Sequence, residues 1–161
     1  VPFWKKSVIT DLAVGADELR RHRYGVIEIA EGKLCRITFR RWPKFISLPE
    51  IRLFGRWKHE SCDGDFFRIY YNQPLRCSNY LILKYAESSR QTGMASIVRG
   101  LAVLDEIARL KQSDALLCDA SNERISTRSM HRFGWEPHCP SRFHRHFIKR
   151  FYGKYASMDA A

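Results

Sequence analysis

A chain of 161 residues with 45% apolar side chains is one domain's worth of protein, with enough material for a core. No run of about 18 apolar residues occurs, so no membrane-spanning helix is expected, and Val1 to Ile9 lacks the apolar segment of a secretory signal. The formal charge is +11, and residues 123–161 carry eight basic against three acidic groups; such a surface attracts the phosphates of cofactors, nucleic acid or headgroups without choosing among them.

Asp17 to Arg23 reads as a helix ending near Gly25. Val26 to Ile29 and Leu34 to Phe39 flank Glu31-Gly32-Lys33 and read as a β-hairpin. Pro43 and Pro49 punctuate a loop, and Glu50 to Lys58 and Asp65 to Tyr71 are further strands. The aromatic residues Trp42, Phe45, Phe54, Trp57, Phe66 and Phe67 suggest a sheet packed on one face. Tyr80 to Tyr85 is a nearly continuous apolar strand of the kind buried in a sheet centre. Met94, Ile97, Val98, Leu101, Leu104 and Ala108 recur at helical spacing, which predicts a helix over Gly93 to Lys111. Ala115 to Cys118 is a short buried strand. Ser121-Asn122 offers an N-cap for a helix reaching Phe133, which Gly134 ends. Trp135-Glu136 and Phe143 to Phe151 read as closing strands.

Strands alternating with helices in the second half predict parallel pairing there, and the first half is antiparallel in character. The expected fold is α/β (α+β): one mixed, mostly antiparallel sheet flanked by helices. A single domain is expected, with a strand-rich half over 1–79, a ligand-binding half over 80–152 and a flexible tail over 153–161. Five cysteines with no C-x-x-C argue against a disulfide framework or zinc ribbon and for a reducing, cytoplasmic setting, and Cys118 reads as a small core residue.

The chemistry concentrates at Arg90-Gln91-Thr92-Gly93-Met94-Ala95, between an apolar strand and a long helix. A loop opening a helix aims several N–H groups at one point, and the helix dipole adds partial positive charge. That suits a phosphate group, and small residues at Gly93 and Ala95 let it approach the main chain. An ordinary strand-to-helix turn is the alternative.

With Asn122 after the next strand and Gly134-Trp135 after the next helix, this order of parts resembles the GCN5-related N-acetyltransferase (GNAT) family over Tyr80 to about His138. The resemblance implies acetyl-CoA or another acyl-CoA as cosubstrate and direct transfer to an amine acceptor in one ternary complex. It implies that the amides of Gln91, Thr92, Gly93, Met94 and Ala95, with Arg90, hold the diphosphate. The main chain of Leu83 and Tyr85 would pair with the pantetheine arm like an added strand, and Asn122 would lie beside it. The family often uses a Tyr of the last helix as acid; none falls between Ser121 and Phe151, and the matching place holds Ser129 or Met130. His131, on the same helix, is the candidate acid. Glu87 is the first candidate base, with Glu60 or Asp65 as others.

Other patterns have plainer accounts. Arg124, Arg128, His131 and Arg132 share one helix face, which reads first as solvated and second as a phosphate contact. His138, Cys139, His144 and His146 fit no common zinc spacing, so no metal is expected. Trp4, Trp42, Trp57 and Trp135 fill a core more readily than they stack bases. A non-catalytic GNAT-like domain binding nucleic acid through its basic surface is the alternative function.

Overall fold

The computed structural model describes residues 8–45, 64–120, 126–139 and 145–155. The strand expected over Glu50 to Lys58 lies outside them. So do Trp4, Trp57, Glu60, Ser121, Asn122, Arg124 and His144.

The hairpin forms as the alternation requires. β1 (Val8–Ile9) pairs with β3 (Lys33–Arg40), and β3 pairs with β2 (Tyr24–Ala30). Glu31 and Gly32 make the turn with φ of +51° and +70°, the positive values that match strand twist. β4 (Phe66–Asn72) runs antiparallel between β2 and β5 (Tyr80–Ser88). β5 then pairs with β6 (Ala115–Asp119) in parallel, as the alternation of strands and helices predicts. β8 (His146–Arg150) and β7 (Glu136–Pro137) complete the far edge, giving the order β1-β3-β2-β4-β5-β6-β8-β7. The result is a mixed, mostly antiparallel sheet with helices packed on it.

Three helices lie among the described residues: α1 (Ala16–Arg21), α2 (Met94–Leu110) and α3 (Thr127–Arg132). Val103, Leu104, Ile107 and Ala108 of α2 are fully buried in one cluster with Ile27, Ile29, Ile69 and Tyr71 of the sheet and Leu19 of α1. Each such aliphatic side chain contributes roughly 1.5–3 kcal/mol when buried. Met130 of α3 and Trp135 belong to the same cluster. α3 is shorter than the sequence suggests. Its cap is Ser126, whose Oγ accepts from the Ser129 amide at 3.1 Å, and not Ser121 or Asn122. It ends as expected at Gly134, where φ is +81° and the Trp135 amide donates to Met130 O at 3.0 Å.

The aromatic cluster divides. Phe67 is in the core, whereas Trp42 and Phe45 are 71% and 77% exposed. The tail is docked as far as Tyr155, whose hydroxyl donates to Ser113 O at 2.8 Å and whose ring meets Phe151.

Gly100 sets the distance between α2 and the sheet. A Cβ there would lie 2.8 and 2.9 Å from Phe67 Cδ1 and Cε1 and 3.2 Å from Ile69 Cδ1. Alanine favours a helix over glycine by about 1 kcal/mol, but overpacking costs about 1–3 kcal/mol. Gly100→Ala is therefore expected to lose stability, read as a lower urea midpoint at unchanged slope.

Lys111 ends α2 and ties it to α1. Its ammonium donates to His22 O at 2.7 Å and Gln73 Oε1 at 3.1 Å. Burial, with a smaller push from Arg23, brings its pKa down to about 8 from 10.5. The unfolded chain therefore holds this proton more tightly than the native state. Stability should rise from pH 8 toward 10.5 as the native lysine discharges first. Paired unfolding curves at pH 7.5 and 10 should show the wild type gaining relative to Lys111→Met.

Candidate functional site at the β5–β6 opening

β5 and β6 pair only from Tyr80↔Ala115 to Leu83↔Cys118. β5 then continues through Ser88 with β4 still beside it, because Phe67 pairs with Ser88. An edge therefore opens inside the sheet. A bulge marks the point of departure: Tyr70 pairs with Tyr85 and Tyr71 with Leu83, which leaves Lys84 as the extra residue.

The bulge decides which main-chain groups face the opening. The Ser89 amide donates to Phe66 O, so pairs of the same parity, Arg68/Glu87 and Tyr70/Tyr85, turn toward each other. The N–H and C=O of Ala86 therefore point to the opposite edge. Ala86 is exposed although it lies on a central strand, which marks a trough there. This bears on where the two residues expected beside a pantetheine arm, Leu83 and Tyr85, lie in the sheet. Leu83 is in the ladder with both neighbours, Tyr85 turns its main chain toward β4, and Ala86 turns its own toward the opening.

At the end of β5 the turn Ser89–Gly93 leads into α2. Thr92 donates its hydroxyl to Phe66 O at 2.6 Å and accepts from the Ser89 amide at 2.8 Å. The Thr92 amide itself goes to Ser89 O. Asp65 sits at the head of the helix. Its carboxylate accepts from the Gly93 amide at 3.1 Å and from Ser96 Oγ at 2.8 Å, and Ser96 in turn accepts from the Gly32 amide at 2.8 Å. Two of the five amides expected to face a diphosphate, those of Thr92 and Gly93, are thus engaged. Asp65, weighed as a base, is a helix cap. Met94 and Ala95 are exposed, and no hydrogen bond from either amide to a protein acceptor occurs among the described residues. Arg90 and Gln91 are exposed on the turn.

The residues present fit a diphosphate at Met94 and Ala95. Gly93 has an ordinary φ of −78°, and a Cβ there would meet only Asp65 Oδ2, at 3.5 Å. Neither backbone nor packing demands glycine, so the space above it is open. The Asp65 charge beside that space is the feature that opposes an anion.

On the sheet face away from α2, a row of charges crosses four strands. Glu28 bonds Arg36, and Arg68 bridges Glu28 at 2.7 Å and Glu87 at 3.1 Å. Burial works against the Glu28 carboxylate, but the hydrogen bonds and charges of Arg36 and Arg68 outweigh it and hold its pKa below the ordinary value. Glu87 therefore stands near the trough as an ion-paired carboxylate. His131 is exposed on the last turn of α3, beside β7. Arg128 and Arg132 are exposed on the same helix. Cys118, where β6 leaves β5, is half-buried against the core, and desolvation, with Asp119 adding, pushes its thiol up to about 12. It packs against the core, as a small apolar residue would.

His138 Nε2 and Cys139 Sγ approach to 3.4 Å, and among the described residues no three metal-ligating groups come together. A cavity of about 350 Å³ lies at the far end of the parallel pair, lined by Tyr80, Asp114, Leu117, His138, Arg150 and Tyr152. It shares no residue with the trough.

No family model matches the chain, and no curated protein does. Among solved structures it is similar to the crystal structure of nourseothricin acetyltransferase, at 11% identity and a TM-score of 0.44, over 89% of this chain and 97% of that one. At that identity and TM-score the likeness assigns no activity. No helix among the described residues is long and apolar enough to cross a membrane.

Proposed function

We propose that the chain is an acyl-CoA-dependent N-acyltransferase whose cosubstrate lies in the opening between β5 and β6. The observation that carries this reading is the exposed Ala86 edge on a central strand, leading to the Met94 and Ala95 amides at the head of α2. An extended amide-bearing arm adds to such an edge as a strand would, and a diphosphate suits the helix start.

In this reading Ala86 N–H and C=O take the pantetheine amides, Met94 and Ala95 donate to the diphosphate, and Arg90 and Gln91 flank it. Leu83 and Lys84 lie where the edge opens, near the reacting carbonyl. The acceptor nitrogen bonds the acyl carbon as the carbon–sulfur bond breaks, and the amine proton passes to Glu87 directly or through one water. Arg68 orients that carboxylate. A thiol that ionises near pH ~8.5 can leave as thiolate, so the scheme requires no proton from His131.

Thermal unfolding with and without ligands tests the proposal against a nucleic-acid role. Acetyl-CoA should raise the midpoint, because a ligand bound only to the native state stabilises it. Protection by RNA or DNA alone, falling steeply with salt, would assign the basic surface to nucleic acid instead.

A further inference from the structure

The face of the sheet away from α2 holds a second arrangement that the proposed transfer chemistry does not use. Arg40, at the end of β3, places its guanidinium carbon 5.7 Å from the Tyr70 ring centroid, and Lys44 places its ammonium 5.3 Å from the same centroid. Asn72 fixes the Lys44 segment, accepting from its amide at 3.1 Å and donating to its carbonyl at 3.0 Å. Two cations therefore converge on one aromatic ring.

Neither forms an ion pair among the described residues. Elsewhere on this face cations meet carboxylates directly, as Arg36 meets Glu28 and Arg68 meets Glu28 and Glu87. Among the described residues that row sets two cations against two carboxylates. Arg40 and Lys44 have no carboxylate within ion-pair distance among the described residues, and Arg40 Nη1 is buried without any hydrogen-bond partner. A buried donor left unpaired costs about 1–3 kcal/mol, more when charged, and like charges brought together add to that cost. An anion meeting both groups would offset these costs.

We infer that Arg40 and Lys44, over Tyr70, form a site for a carboxylate or phosphate group, and that it holds the acid end of the amine acceptor. The second half of this inference rests on the proposed transferase reading. Tyr70 pairs with Tyr85, and Glu87 lies two residues further along the same face. Strand geometry sets the Tyr70 and Glu87 positions about 8 Å apart, and the Arg40 and Lys44 cations, toward Asn72, lie further from Glu87. The acceptor is an amine carrying an acid group several bonds from its nitrogen, rather than a polyamine.

Titration of the protein alone with inorganic phosphate and with succinate tests the site without acyl-CoA. Binding should weaken at least tenfold in Lys44→Gln and in Arg40→Gln; Lys44 is the milder change should Arg40→Gln misfold. Unchanged binding in Lys44→Gln, or none in the wild type, overturns the site. Acetylation of an ω-amino acid and of the matched alkylamine then separates acceptor from free phosphate. A rise in KM confined to the acid-bearing amine in Lys44→Gln supports the acceptor role. Equal effects on both amines overturn it and leave a free-anion site. Loss of acetyl-CoA binding would strike the transferase reading alone, because the phosphate titration does not depend on it.

Discussion

Asp105→Ala should cost about 3–5 kcal/mol of stability, the largest loss expected from any single truncation described above. Asp105 on α2 and Lys149 on β8 meet at 2.6 Å, with side chains only 12% and 18% exposed. Burial pushes the Asp105 carboxyl up, although the Lys149 charge and hydrogen bond pull the other way. Removing the acid leaves an ammonium enclosed between helix and sheet with no partner. Lys149 cannot swing out freely, because its stem lies against Gly134, where a Cβ would come within 3.2 Å of Cε. The double variant Asp105→Leu with Lys149→Met exchanges the pair for apolar volume and should return close to wild-type stability. A double-mutant cycle from urea unfolding checks this. A loss below about 1 kcal/mol in Asp105→Ala would mean that water reaches the pair.

Asp65→Asn should strengthen acetyl-CoA binding while weakening the fold. Asp65 serves the protein by capping α2 and tying Ser96 and the hairpin to it. It opposes the proposed ligand, because its charge stands beside the space a diphosphate would enter. Asparagine keeps an oxygen for the Gly93 amide and removes the charge. Relief of repulsion over several ångströms at a partly solvated site is worth roughly 1–2 kcal/mol, or about tenfold in affinity. The lost interaction with the helix dipole costs about 1 kcal/mol of stability. Raising salt should shrink the affinity gain. Weaker binding in Asp65→Asn would place the diphosphate away from this helix.

Hydrophobic period made most of the fold legible. Alternation in Val26 to Ile29 and Leu34 to Phe39 and the 3.6-residue spacing from Met94 to Ala108 describe burial against a sheet, which local sequence records directly. The start of α3 was not legible, because Ser121 and Ser126 both suit a cap and only the chain's path after β6 decides between them. The bulge at Lys84 was hidden for a related reason. It depends on how β4 and β5 register, and it moves the open edge from Tyr85 to Ala86. The capping role of Asp65 was equally out of reach, since it joins a helix 28 residues further along the chain. The strand-to-helix turn was visible from Gly93 and Ala95, but long-range side chains decide which of its amides remain available.

The most direct test of the central claim is a calorimetric titration with acetyl-CoA of the wild type and of Gly93→Glu, which sets a carboxylate in the open space before Met94 and Ala95. Saturable one-to-one binding by the wild type, lost in a folded Gly93→Glu protein, is the expected result. No heat from the wild type, or equal affinity in the two proteins, would contradict it.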